Sequence, residues 1–115
     1  MNVRRTLKKN SDFRRLYARG RSASTPCVVL YCRPNRRDEN RVGYTVSTKL
    51  GHAVVRNRVR RRLREIVRLN DPALKQGWDI VVVARSRCVK APYRKIESCY
   101  LDACRTLGLL KEARP

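Results

Sequence analysis

Residues 54–68 read "VVRNRVRRRLREIVR", with seven arginines in fifteen positions. Such a segment joins a folded core only if its few apolar residues fall on one side. Advancing about 100° per residue, Val55, Val59, Leu63, Ile66 and Leu69 stay within about 40–80° of one direction. That stripe predicts an amphipathic helix from roughly Ala53 to Leu69. Asn57, Arg61, Arg64 and Arg68 then line up on the opposite face. Arg56 and Arg60 flank that row on one side and Arg58 on the other. Arg62 projects close to the apolar stripe, so its stem either covers apolar surface or its head borders a groove beside the helix. Glu65 can pair with Arg61 or Arg68, a contact worth only tenths of a kcal/mol.

Most of this repulsion is unrelieved within the helix, and the rest of the chain adds to it. Lys plus Arg number 29 against nine Asp plus Glu, a net charge of +20 in 115 residues. A compact domain so charged implies a polyanionic partner. A merely solvated face would mix Glu with Lys. Arginine instead offers a planar fork that grips phosphate oxygens in pairs and stacks on bases. Nucleic acid is therefore the first candidate and an anionic membrane surface the second. The longest apolar runs, near Cys27–Cys32 and Ile80–Ala84, are too short to span a bilayer. No apolar stretch follows the basic start, as it would in a signal peptide, so a cytoplasmic protein is expected.

The flanking segments predict one small α+β domain over residues 1–115, with a basic tail of about 1–9 and a short one of about 111–115. "NSDFRRLYARG" reads as a helix capped by Asn10 or Ser11 and stopped by Gly20, with Phe13, Leu16 and Tyr17 on one face. "GRSAST" suggests a short edge strand. "CVVLYCR" alternates Val28, Leu30 and Cys32 against Val29 and Tyr31. "VGYTVS" is expected as its hairpin partner across the polar turn "PNRRDENR". "NDP" at 70–72 ends the basic helix. "DIVVVARS" reads as a buried strand. The last helix, "APYRKIESCYLDACRTLG", has Pro92 in its first turn and Gly108 at its end. Its core stripe is Tyr93, Ile96, Tyr100, Cys104 and Leu107.

Catalytic chemistry is not evident. The nine acids are scattered, whereas phosphodiester hydrolysis by protein needs clustered carboxylates holding metal. His52 is the lone imidazole and reads as a loop residue. Five cysteines, an odd number, suit free and mostly buried thiols rather than a metal site. No helix-turn-helix precedes the arginine helix, which favours RNA over a DNA groove.

"LKKNSDFRRLYARGRS", "RVGYTVSTKLGHAVVRNRVRRRLREIVR" and "DIVVVARS" together resemble the protein subunit of bacterial ribonuclease P. The "RNR" segment in its "KxGxAVxRNRxxR" context is the most specific part, and the likeness runs from Leu7 to about Leu110. The resemblance implies an α-β-β-β-α-β-α order on a mixed sheet, the fold of the second domain of ribosomal protein S5, with a left-handed crossover. It implies an enzyme whose catalytic site and magnesium lie in an RNA subunit and which removes the 5′ leader of precursor tRNA. The protein itself is expected to hold no cofactor. The RNA-subunit surface carries over to Arg56, Asn57, Arg58, Arg60, Arg61 and Arg64, and the same row of the helix extends it to Arg68. The leader cleft carries over to Phe13, Tyr17 and Tyr31, with Ser47 and Lys49 at its rim. Thr48 stands where the family often has Lys, Tyr17 where it often has Phe, and Arg62 where an aliphatic residue is common.

Two other readings fit the composition: a structural, ribosomal-type RNA-binding protein without a processing role, and a DNA-binding regulator. The expected partners are the ribonuclease P RNA subunit and precursor tRNA.

Overall fold

The computed structural model describes residues 5–111. Its elements are β1 (Arg5–Thr6), α1 (Asn10–Arg19), β2 (Arg21–Ser24), β3 (Val28–Pro34), β4 (Arg41–Thr45), α2 (Ala53–Asn70), β5 (Trp78–Ala84) and α3 (Tyr93–Thr106). They form one mixed five-stranded sheet in the order β1-β4-β5-β3-β2, with the two-residue β1 at one edge. The α+β class and the expected order of the main elements hold, with β1 as an addition.

β5 takes the middle because it is apolar on both sides. Ile80, Val82 and Ala84 join the larger core with α2 and α3. Val81 joins Leu7 and Leu16 in a smaller core, with Phe13, Tyr31 and Val83 packed against it. Strand period 2 thus splits each strand between two layers. On β3 the register sets Val28, Leu30 and Cys32 opposite Ala84, Val82 and Ile80. Val29 and Tyr31, opposite Val83 and Val81, face the side that carries α1.

Several expectations need correction. β3 and β4 are not hairpin partners: β5 lies between them, antiparallel to β3 and parallel to β4. The hairpin is β2–β3, with Thr25 Oγ1 bridging the turn to Val28. Residues 5–7 are not tail, since β1 pairs with β4 and Leu7 is buried, its N–H donating to the Val42 carbonyl. At the other end Lys111 N–H donates to the Ala73 carbonyl; residues 1–4 and 112–115 of the expected tails lie outside the described residues. The cap of α1 is Lys9, with no side-chain capping bond from Asn10 or Ser11.

A further correction concerns the α2 wheel. Val59, Leu63 and Ile66 are buried as expected, but Val67 replaces Leu69, which is 52% exposed. The core direction is turned by about 45° toward Arg56 and Arg60. Those two arginines are consequently half-buried, and Val55 only partly so. The α3 stripe holds at Ile96, Tyr100, Cys104 and Leu107, while Tyr93 is half-exposed and Pro92 sits at the cap. All five cysteines are free and buried.

Candidate nucleic-acid interface

The start of α2 is set by the loop after β4. Ser47 Oγ accepts from Lys49 N–H at 3.1 Å, closing a single 3-10 turn over Thr48–Leu50. Gly51 follows at φ 144°, a conformation that L side chains rarely adopt. Arg56 Nε then reaches back to the Gly51 carbonyl at 3.1 Å, which ties the first helical turn to that loop.

Beyond that turn the arginines fan outward. Arg58, Arg61, Arg64 and Arg68 are exposed, as is Asn57. Arg60 Nη1 donates to Asn57 Oδ1 at 3.3 Å. Glu65, the only carboxylate of the helix, pairs with Arg68 at 2.9 Å rather than with Arg61. The Arg64 guanidinium lies 5.9 Å from the centre of the Tyr44 ring, within cation–π range. Burial raises the Tyr44 hydroxyl pKa well above its usual value, and the Arg64 charge only partly opposes this. Tyr44 therefore stays neutral and serves as a ring platform. Arg62 is half-buried, and its charge is felt at the buried Cys88 thiol, in the turn after β5.

The aromatic residues gather on the opposite face of the sheet. Tyr17 meets Tyr31 edge-on, with ring centres 4.9 Å apart, and Phe13 lies 6.5 Å from Tyr17. The Tyr17 hydroxyl and Thr45 Oγ1 share a hydrogen bond of 2.7 Å. Tyr17 is 42% exposed, so the cluster is a wall open to solvent rather than a closed core. Beyond Tyr31 the same sheet face continues through half-buried Val29 and Val83, which sit opposite each other, to Thr45 and Ser24. Arg85 edges this row, its Nη1 donating to Ser24 Oγ and to the Thr25 carbonyl at 3.0 Å each.

Phe13, Tyr17 and Tyr31 are thus brought together, and so are the α2 arginines. Ser47 and Lys49 lie past the end of β4. Lys49 lines a separate cleft of about 590 Å³, with Pro26, Leu50, Arg87, Val89 and Lys95. Sequence reading missed Thr45, Arg85 and Tyr44. Their placement depends on β5 separating β3 from β4, which strand alternation does not reveal.

Among the described residues, no three of His, Cys, Asp and Glu converge where a metal could sit. The most enclosed carboxylate pair in the α1 layer is already engaged: Asp79 holds Arg41 and Asn35, and Asp12 lies 3.7 Å from Arg15.

A cationic helix thus lies on one side of the sheet and an open aromatic wall on the other. The family profile for ribonuclease P matches residues 1–108. The chain belongs to the ribonuclease P protein family. The ribonuclease P protein component of Alkaliphilus oremlandii is 44% identical over 107 residues, covering 93% of this chain and 94% of the relative. That of Alkaliphilus metalliredigens is 42% identical over 110 residues, covering 96% and 99%. The RNase P protein of Staphylococcus aureus superposes with a TM-score of 0.84 at 31% identity, over 92% of this chain and 97% of its own. The Thermotoga maritima RNase P protein gives 0.79 at 30% identity, over 86% and 94%.

Proposed function

We propose that this ribonuclease P subunit divides its RNA contacts between the two faces of one sheet. On one face α2 presents Arg58, Arg61, Arg64 and Arg68, with Asn57, to the phosphates of the catalytic RNA subunit. On the other face Phe13, Tyr17 and Tyr31 form a wall on which unpaired bases of the precursor-tRNA leader stack, above a floor of Val29 and Val83. Single-strand recognition needs this combination of ring platforms and nearby cations. Arg85, at the edge of this row, supplies a cation.

One observation carries the division of labour. Tyr44 and Thr45 are consecutive in β4, yet Tyr44 lies under Arg64 and Thr45 bonds Tyr17. Successive strand residues point to opposite faces, so the two surfaces are back to back and can be occupied together. The chain's part in catalysis is then to bind and position. Cleavage and magnesium belong to the RNA subunit on this reading, and the work takes place in the cytoplasm. Among the described residues no helix is long and apolar enough to cross a membrane.

Reconstitution tests this reading. The chain is added to a bacterial ribonuclease P RNA at low magnesium with precursor tRNA. Faster leader removal and tighter substrate binding are expected, and a gain in neither would refute the proposal. Preference for duplex DNA over that RNA would favour a regulator instead.

A further inference from the structure

The loop between β3 and β4, "NRRDEN", takes no part in either surface just described. Together with α1 it encloses a hollow of about 300 Å³. Arg33, Arg36, Arg37 and Arg41 line it from the sheet side, and Arg15 lines it from the helix. Among the described residues, Asp12 and Asp79 are the only carboxylates in its wall. It lies on the flank of α1 away from the aromatic wall, because Asp12 and Arg15 face it while Phe13 and Tyr17 face the cleft.

The hollow holds an unmet donor. In register, Asp79 sits between Arg33 and Arg41. It commits itself to Arg41, with Nε to Oδ1 at 2.8 Å and Nη2 to Oδ2 at 2.6 Å, and Oδ1 also accepts from Asn35 Nδ2 at 3.0 Å. Arg33 Nη1 is left buried with no hydrogen-bond partner among the described residues. A buried donor without a partner is costly, and a charged one more so. Asn35 also fixes the loop, its Oδ1 accepting from Arg37 N–H at 2.8 Å and its Nδ2 donating to the Glu39 carbonyl at 3.1 Å. A single water would satisfy Arg33 Nη1 but would leave the surplus of guanidinium charge unbalanced. A phosphate group answers both, since its oxygens accept from several forked guanidiniums at once.

We propose that this hollow is a phosphate subsite that takes a backbone phosphodiester of RNA, as a contact separate from the α2 face and the aromatic cleft. Half-buried Arg33 anchors the anion from the wall, and exposed Arg36 and Arg37 hold it from the rim. The choice of RNA as occupant rests on the proposed function; the affinity for phosphate does not.

The test uses the full chain, isotope-labelled for NMR and titrated with inorganic phosphate at constant ionic strength. Saturable shifts are expected for Asn35–Glu39, Arg33 and Asp79. The exposed pair R36Q/R37Q should weaken phosphate binding at least about fivefold, and R33M should abolish it without loss of stability, because it removes an unsatisfied donor. No saturable response in this loop, or either variant titrating like the unaltered chain, overturns the subsite. In the second arm, RNA affinity is followed against salt. R36Q/R37Q should flatten the slope of log K against log salt by about one unit, as expected for one lost phosphate contact. An unchanged slope beside weakened phosphate binding overturns RNA as the occupant and leaves a site for the free anion. R61A/R64A is measured in parallel; if it too leaves RNA binding intact, the function proposed above has failed rather than the subsite.

Discussion

The ring of Phe13 occupies the space that a side chain on Gly43 would need. A Cβ built at Gly43 would lie 2.6 Å from Phe13 Cζ and 3.0 Å from Leu7 Cβ. Gly43 is buried in β4, and the missing side chain is what lets α1 settle onto the sheet with Phe13 toward the cleft.

Gly43→Ala should therefore displace Phe13 and cost about 1–3 kcal/mol, the usual range for overpacking. Denaturant unfolding checks this. Phe13→Ala removes the clashing ring, so the double variant should lose less stability than the two single losses added together, by at least about 0.5 kcal/mol. Strict additivity would mean that the ring does not bear on Gly43. Leader affinity should fall in G43A as well, because the displaced ring belongs to the cleft wall.

The back-to-back placement of the two surfaces predicts separable defects. Arg61→Ala with Arg64→Ala should weaken binding to the RNA subunit and lower its salt slope by about two units at most, since each phosphate contact contributes about 0.9. Phe13→Ala with Tyr17→Ala should spare that binding and cost about 1–3 kcal/mol of leader affinity per lost stack. Tyr17→Phe keeps the ring and removes only the bond to Thr45, so its loss should stay near about 1 kcal/mol. Affinities measured with and without a leader separate these cases. Equal losses on both substrates from both pairs would refute the two-face assignment.

The arginine helix was legible in the sequence because its charges and its stripe repeat at the helical period, and Phe13 and Tyr17 share a helix face for the same reason. The strand order was not legible. "CVVLYCR" and "VGYTVS" are joined by a turn-rich loop of hairpin length, and nothing local says that a strand from residues 78–84 will insert between them. What decides it is the apolar content of β5 on both faces, which is satisfied only at the centre of a sheet covered by α1 on one side and by α2 and α3 on the other. Leu69 shows the same limit at the scale of one helix. The wheel places it at one border of the stripe and Val67 at the other, and only the docking direction of α2 selects between them.

Tyr100 gives a stability prediction of opposite sign. It is fully buried, and its hydroxyl lies near the Cys104 thiol with no well-formed hydrogen bond among the described residues. Tyr100→Phe keeps the ring and its packing while removing a hydroxyl that was desolvated without return. Stability should be unchanged or should rise by up to about 1 kcal/mol, whereas Tyr100→Ala should cost about 3–5 kcal/mol through the cavity it leaves. Thermal unfolding of the two variants measures both effects. A loss above about 1 kcal/mol in Y100F would show that the hydroxyl is held by a partner.

The buried thiols predict how stability depends on alkaline pH. Burial pushes Cys88 up to about 11, with the Cys27 thiol adding to the effect and Arg62 opposing it. Burial likewise pushes Cys104 up to about 12, with the contact to Tyr100 opposing it. An unfolded thiol ionises near pH 8.5, so between that value and the folded pKa the unfolded chain gives up protons that the folded chain retains. Stability from this source is complete below about pH 8.5 and is lost as pH rises toward 11 and 12. Lysine deprotonation acts the other way in the upper part of this range, because it relieves the self-repulsion of a +20 chain. Comparing variants at each pH removes that background. Cys104→Ala and Cys88→Ala should each lower stability at pH 7, yet show a shallower decline between pH 9 and 11 than the unaltered chain. Denaturant midpoints recorded across that range decide the matter: parallel curves for all three proteins would mean that these thiols do not titrate out of the core.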